Sequence, residues 1–275
     1  MAQWLRFQHQ GKSGLGQVQG DQIAVYEGDL FNNPKATGQT INLADVTIDI
    51  PCTPSKMVAM VDNFHALVTK LEHATLVLEQ NGETLILDPG FYTRPMDGYK
   101  NVVGIAITHN HDDHVHEDQI GRILNDNPNA QILGTQEVAA RLAANNAKAV
   151  HHGDHYELGS FTLDFFGSMH IEIHRSIPQI QNCGVMINNR LYYPGDSYTT
   201  PDLPVEYLAC PASAPWLKIG DVMDYIASVK PKNVFPTHNI HLSEQGNQLN
   251  NNRIKQVTEE NGGSFTYLLP GEEIT

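Results

Sequence analysis

Val102-Val103-Gly104-Ile105-Ala106-Ile107-Thr108-His109-Asn110-His111-Asp112-Asp113-His114 is the stretch on which the reading of this chain turns. Its first six residues are apolar and mostly β-branched, the composition of a buried strand. From His109 to His114, three histidines and Asp113 then crowd into the place where the strand ends and the chain turns. Imidazole nitrogen and carboxylate oxygen suit zinc, manganese or iron, and loops at strand ends are where a rigid sheet presents functional groups. His109 and His111, two residues apart, can point both rings at one ion, while Asp113 and His114 turn towards a neighbouring point. A polar loop that is merely histidine-rich is the alternative, and the density of donors argues against it.

H-x-H-x-D-H after a strand resembles the signature of the metallo-β-lactamase-fold hydrolases. Three further stretches are similar to the rest of that family's motif series, in the same order. They are Gly167-Ser168-Met169-His170, Tyr193-Pro194-Gly195-Asp196-Ser197 and Phe235-Pro236-Thr237-His238. The resemblance runs from about residue 70 to 275 and implies a four-layer αββα sandwich. It implies that His109, His111 and His170 hold one divalent metal, that Asp113, His114 and His238 hold a second, and that Asp196 touches both. The two ions are expected to be zinc, with manganese or iron as alternatives. Two such cations lower the pKa of a water between them, making a hydroxide that attacks a carbonyl or phosphoryl group. Asp113 and Asp196 are the candidate catalytic carboxylates, Asp113 orienting the water or accepting its proton. The expected activity is metal-dependent hydrolysis of a small ester, lactone or phosphodiester. The wording around Asp196 and Pro215-Trp216-Leu217-Lys218 looks closest to ascorbate-6-phosphate lactonase-like proteins. A non-catalytic ligand-binding module and a nuclease of the same fold are the competing readings; the first is disfavoured because all seven motif positions are filled.

Length and composition bound these expectations. The 275 residues, 40% hydrophobic and 17% charged, suffice for one large domain with a small one attached. A formal net charge of -14 opposes binding to a phosphate backbone, which needs clustered Lys and Arg. The expected partner is therefore a small anionic or polar molecule rather than nucleic acid, with Lys218 as a candidate contact, and a homo-oligomer is open. Cys52, Cys183 and Cys210 are scattered and odd in number, which fits a reducing compartment better than a disulfide framework. With no apolar window long enough to span a bilayer, the expectation is a cytoplasmic protein.

The opening reads differently. Trp4-Leu5-Arg6-Phe7, Gln17-Val18-Gln19 and Ile23-Ala24-Val25-Tyr26 suggest a β-hairpin, and Val46, Ile48 and Ile50 alternate as in a half-buried strand. From Met57 to Leu71 the apolar positions fit a helical spacing, although its first part suits a strand equally. These stretches, with Pro51-Cys52-Thr53-Pro54-Ser55-Lys56-Met57 and Asn63-Phe64-His65-Ala66-Leu67, resemble the N-terminal domain of bacterial fumarylacetoacetate-hydrolase-like proteins. The acidic metal-binding domain of those enzymes does not follow. Residues 1–69 are thus expected to form a small, mostly β accessory domain, and residues 70–275 the catalytic domain.

Within the second part, Asn81-Gly82 between Thr75–Glu79 and Thr84–Leu87 predicts a type I′ hairpin. Helices are expected around Ile120–Leu124, after Thr135 as N-cap, and from about Asp221 to Val229. His73 is a candidate pocket residue, and His174 is either a neighbour of the metals or a surface residue. His151, His152 and His155 read as a loop before an edge strand. Trp216, Tyr193 and Ser197 read as packing, and Cys183 and Cys210 as buried small hydrophobes.

Overall fold

A computed structural model describes residues 4–28, 34–49 and 66–275. The chain divides into two compact units, Met1–Val61 and Asp62–Thr275. The first is an antiparallel sheet of β1 (Trp4–His9), β2 (Lys12–Gln19), β3 (Gln22–Glu27), β4 (Lys35–Asn42) and β5 (Thr47–Asp49), in the order β4-β3-β2-β1-β5. The expected hairpin is therefore one part of a larger meander. Its unanticipated first turn is Gln10-Gly11, both at positive φ (49° and 76°), the conformation whose twist matches two flanking strands. Phe7 and Ile23 are its buried anchors, whereas Ile48 is 64% exposed, so the alternation around it marks a strand but not a covered face.

The second unit contains β6 (Leu67–Lys70), β7 (Leu76–Gln80), β8 (Glu83–Leu87), β9 (Val102–Ile107), α1 (Glu117–Asp126), β10 (Gln131–Gly134), α2 (Gln136–Arg141) and β11 (Lys148–Ala149). It continues with β12 (His155–Leu158), β13 (Phe161–Phe166), β14 (Gly184–Ile187), β15 (Leu191–Tyr193), β16 (Tyr207–Pro211), α3 (Ile219–Val229), β17 (Asn233–Thr237), α4 (Glu244–Glu260), β18 (Ser264–Phe265) and β19 (Glu273–Ile274). One sheet runs β11-β10-β9-β8-β7-β6-β19 and the other β12-β13-β14-β15-β16-β17-β18.

Period-2 alternation decides the layers. Leu76, Leu78, Leu85, Leu87 and Ala106 of the first sheet meet Phe161, Leu163, Phe165, Val185 and Tyr193 of the second in one central core. Their neighbours Val77, Ile86, Ile105 and Ile107 face outwards, against Ile120 and Ile123 of α1 and Val138 of α2. Met186, Tyr192, Leu208 and Val234 face the opposite side, under Val222 and Ile226 of α3 and Ile254 and Val257 of α4. Both faces of both sheets are covered, which is the αββα sandwich expected. Two tight turns close it, the first of them predicted. Asn81-Gly82 (φ 54° and 78°) and Asn188-Asn189 (both 52°) adopt the left-handed backbone that a type I′ hairpin requires. Thr135 caps α2 by accepting from the Val138 amide.

Two expectations about the junction change. Residues 50–65, which carry most of the predicted helical spacing, lie outside the described residues. At its end, Leu67–Lys70 is a strand, not helix: β6 pairs with β7 and β19, and Val68 and Lys70 alternate inwards. A boundary at residue 69 or 70 would cut that strand, and the second compact unit begins earlier, at Asp62.

Candidate metal centre

Five strand ends converge at one end of the sandwich. β8 ends at Leu87 and is followed by Asp88; β9 leads to Thr108–His114; β13, β15 and β17 lead to His170, Asp196 and His238. Two close approaches explain the glycines there. A Cβ on Gly90 would lie 1.8 Å from the Asp113 carbonyl oxygen, so the turn after β8 can only press on the histidine loop without a side chain. Gly195, at φ 61°, would meet Asn182 Oδ1 at 2.5 Å and Thr108 Cβ at 2.6 Å. Asn182, fully buried, accepts from the Asp196 amide (3.0 Å) and donates to the Pro194 carbonyl (2.9 Å), holding the turn that presents Asp196.

All seven expected residues are brought together, in two groups. His109, His111, His170 and Asp196 place their donor atoms within 4.8 Å of one another, and so do His73, Asp113, His114 and His238. The Asp196 carboxylate lies between the groups. Its Oδ2 is 3.3 Å from both His170 Nε2 and His238 Nε2, and its Oδ1 is 3.4 Å from His114 Nε2. Asp113 Oδ2 is 3.3 Å from His238 Nε2, and His109 Nε2 is 3.1 Å from His111 Nδ1. Two nitrogen or oxygen ligands of one tetrahedral zinc stand about 3.3 Å apart, from the usual bond lengths near 2 Å, so these separations suit a shared cation.

The tautomers fit as well. His170 Nδ1–H donates to the Ile171 carbonyl (2.5 Å), His238 Nδ1–H to the Ser213 carbonyl, and His114 Nδ1–H to Asp88 Oδ2 (2.6 Å). Each bond leaves an Nε2 lone pair facing inwards. His114 Nε2, His170 Nε2, His238 Nε2 and Asp196 Oδ1 are buried without a hydrogen-bond partner. A buried polar atom left so costs about 1–3 kcal/mol, and four in one place are what cations would satisfy.

Charge follows the same logic. Burial pushes the Asp196 and Asp113 carboxyls upwards, yet His238 and His114 at Asp196, and His238 and His73 at Asp113, hold both well below the usual range. Burial holds the His109 and His111 imidazoles below their ordinary value and lowers His73 to about 4. Burial also opposes charge on His114 and His238, but Asp196 and its neighbours outweigh it, lifting His114 well up and His238 to about 9. Ionised carboxylates and neutral imidazoles are the forms a cation takes as ligands, and entry of a cation would displace the protons that remain.

Comparison with known proteins places this architecture. Residues 67–238 match the family described as "Beta-lactamase superfamily domain". The chain belongs to the beta-lactamase superfamily. It is 32% identical over 196 residues to protein Rv0786c of Mycobacterium tuberculosis, an alignment covering 70% of this chain and 92% of that one. Among solved structures, Igni18, a metallo hydrolase from the archaeon Ignicoccus hospitalis, aligns with a TM-score of 0.60 at 15% identity, covering 76% of this chain and 97% of the other. The metallo-beta-lactamase fold protein YhfI from Bacillus subtilis aligns with a TM-score of 0.56 at 14% identity, covering 76% and 98%. CmlA, a diiron beta-hydroxylase from Streptomyces venezuelae, gives 0.55 at 13%, covering 78% of this chain and 54% of its own. These likenesses show the fold. Residues 2–51 match a separate family, described as "Rv2993c-like, N-terminal"; the expected likeness to fumarylacetoacetate-hydrolase-like proteins has no counterpart under that name.

Around the seven, sequence reasoning missed several partners. Asp88, which directly follows the expected strand Thr84–Leu87, is fully buried. It accepts from the Thr108 amide (2.7 Å), the Thr108 hydroxyl (2.6 Å) and His114. Its signal was positional: a carboxylate directly after an apolar strand whose neighbour carries the histidines. Trp216, expected to be packing, donates its indole N–H to Asp196 Oδ2 (2.9 Å). His73, a weaker candidate, has Nε2 3.0 Å from Asp113 Oδ2 and lies tilted against His238 with centroids 3.9 Å apart. Lys218 is exposed and lies 3.6 Å from Asp221. Asp112 pairs with Arg141 at the surface, and His174 bonds Ser176. Tyr193 and Ser197 bond backbone carbonyls. Cys183 and Cys210 are buried free thiols.

Proposed function

We propose that this chain is a metal-dependent hydrolase that cleaves a small ester, lactone or phosphodiester. His109, His111 and His170 would hold one divalent cation, and Asp113, His114 and His238 a second, with Asp196 contributing to both and zinc as the favoured metal. The observation that supports this most is Asp196, whose two oxygens lie 3.3–3.4 Å from imidazole nitrogens of both groups. When bound, the cations supply a water of lowered pKa and an electrophile for the oxygen of the bond under attack.

The chain's own residues do the rest. Asp113 points into the centre with Oδ2 and is the group placed to take a proton from an attacking water. His73 Nε2–H donates to that oxygen, which fixes its orientation. Trp216 does the same for Asp196, and Asp88, accepting from Nδ1–H, orients His114. Water adds across the scissile bond, and the proton held at Asp113 passes to the leaving oxygen. A small molecule rather than a nucleic acid fits the net charge of -14, since polyanions are repelled outside the immediate field of the cations.

The test is zinc titration by calorimetry, followed by hydrolysis assays on lactone, ester and phosphodiester panels. Two equivalents should bind, Asp196→Asn should weaken both sites, and turnover should appear only with metal. A protein that binds two equivalents and hydrolyses nothing in the panels would favour a non-catalytic binding module instead.

A further inference from the structure

Beside the metal centre lies a cleft of about 430 Å³ lined by Phe91, Tyr92, Asp112, Asp113 and His116. Asp113 belongs to both the cleft and the centre. Two of its five lining residues are large aromatics open to solvent: Phe91 is 60% exposed and Tyr92 36%. A large apolar side chain left in water forgoes the gain of burial, so two adjacent ones at a functional site call for an explanation.

Their position is built rather than incidental. The Phe91 amide donates to the Asp112 carbonyl (2.8 Å), the His116 amide donates to the Pro89 carbonyl (3.2 Å), and Gly90 presses on Asp113. The rings form a continuous path. Tyr92 meets His73 at 5.2 Å and His241 at 5.0 Å, both edge-to-face, and Phe91 meets Tyr92 at 5.6 Å and His116 at 5.3 Å. His73, at the inner end, touches Asp113.

The charges there are already engaged. Asp112 is 2.8 Å from Arg141, and Asp113 is turned towards His73 and His238. No Lys or Arg is among the described residues lining the cleft. An anionic group gains no cation here, and a cationic group finds both carboxylates taken. Beside these polar groups Phe91 and Tyr92 add aromatic surface, which favours an uncharged apolar group and, for an aromatic one, edge-to-face contact.

We propose that Phe91 and Tyr92 receive the neutral aryl arm of an ester or lactone whose carbonyl lies at the metal centre. This rests on the hydrolase reading above and narrows it. Water adds across the acyl C–O bond, yielding a carboxylic acid and an alcohol, with no oxidant or co-reactant. Lys218, a candidate contact for an anionic or polar substrate, lies against Asp221 and is not among the residues lining this cleft.

The experiment uses the zinc-loaded full chain with ethyl acetate, ethyl phenylacetate, benzyl acetate and acetylcholine. One aryl ester should exceed ethyl acetate in kcat/KM by about tenfold or more, the discrimination an apolar pocket delivers. That ratio should fall towards one in Phe91→Ala and Tyr92→Ala, with zinc stoichiometry confirming that the variants are loaded. A second readout is independent of turnover: calorimetric binding of phenylacetate should be about tenfold tighter than acetate, and Phe91→Ala should remove the difference. If all four esters are inert but phenylacetate is preferred and the preference needs Phe91, the cleft proposal stands and the hydrolase reading falls. Equal binding of acetate and phenylacetate, a preference surviving both substitutions, or a preference for acetylcholine would each overturn the cleft proposal.

Discussion

Replacing Asp88 by Asn removes one charge and almost no volume, yet it should disable half of the metal centre. The Asp88 carboxylate is fully buried and takes three hydrogen bonds, from the Thr108 amide at 2.7 Å, the Thr108 hydroxyl at 2.6 Å and His114 Nδ1 at 2.6 Å. All three arrive from donors, so a carboxamide meets a conflict however it is turned. With its oxygen towards the Thr108 amide, its NH₂ faces His114 Nδ1, which must then become an acceptor. The imidazole proton moves to Nε2, where a metal needs a lone pair. With the amide flipped, its NH₂ faces the Thr108 N–H, donor against donor. Losing a buried partner of this kind costs about 1–3 kcal/mol of stability. Removing the group that orients a metal-binding histidine weakens affinity by roughly 10–100-fold. Two measurements separate these effects: thermal or denaturant unfolding of the metal-free variant, and zinc affinity by chelator competition. The expected result is one tight equivalent retained at His109, His111 and His170, and one weakened equivalent at His114. Two equivalents bound at wild-type affinity would refute the argument, because His114 would then hold its tautomer without Asp88.

Trp216→Phe keeps the ring but deletes the N–H that donates to Asp196 Oδ2 at 2.9 Å; a bond to a charged group is worth about 1.5–3 kcal/mol, so turnover should drop roughly 10–100-fold, and wild-type kinetics would make the bond incidental. Lys70 is 1% exposed, and burial, opposed only in part by Glu72, lowers its ammonium from 10.5 to about 8. Between those values the unfolded chain binds the extra proton, so stability gains on the order of 3 kcal/mol from this group as pH rises from 8 to 10.5, its cost being fully present below 8. In urea unfolding, Lys70→Met should remove that rise, and parallel pH profiles for the two proteins would contradict it. A chain beginning at Asp62 should fold and bind two zinc ions, whereas one beginning at Thr69 loses Leu67 and Val68 of β6, baring the β7 edge and inviting association. Size-exclusion chromatography and metal analysis distinguish the two, and equal behaviour would show that β6 is dispensable.

What could be read from the chain was whatever depends on short-range pattern. Period-2 apolar runs gave the strands of the sandwich, and Asn81-Gly82 gave a turn because few other dipeptides tolerate two left-handed residues in succession. His109 to His114 announced a cluster because its donors lie within six residues. The long polar helix α4 escaped. Of its 17 residues, only Ile254 and Val257 are buried apolar side chains, with Asn251 and Thr258 completing the covered face. A stripe so thin cannot be told from a solvated segment by hydropathy; it is the sheet beneath that turns Glu244–Glu260 into structure. The helical spacing assigned up to Leu71 failed for the opposite reason. Apolar residues at 64, 67, 68 and 71 satisfy a 3.6 period, but pairing with β7 and β19 imposes a period of two on Leu67–Lys70.

The partners of the ligands escaped for a different reason, which bears on how such a centre is built. A residue that touches a metal must be one of a few types at the end of a strand, and type plus position narrows the search. A residue that orients a ligand needs only one atom in the right place. Three unlike solutions serve that need here: a carboxylate for His114, a serine carbonyl for His238, and an indole N–H for Asp196. Ser213 and Ile171 act through their backbones, so their side chains carry no signal at all. Asp88 is the exception that chemistry picks out. His114 is the histidine pressed on one side by Asp196 and on the other by Asp88, and both carboxylates raise its affinity for charge. A backbone carbonyl in place of Asp88 would orient the ring equally well but would leave it a weaker base and a weaker ligand. The buried charge therefore does more than set geometry: it strengthens the nitrogen of one ion's ligand set, while His170 and His238 rely on neutral carbonyls. Replacing Asp88 should accordingly weaken the His114 site through lost basicity as well as lost orientation, and so make the two zinc affinities diverge.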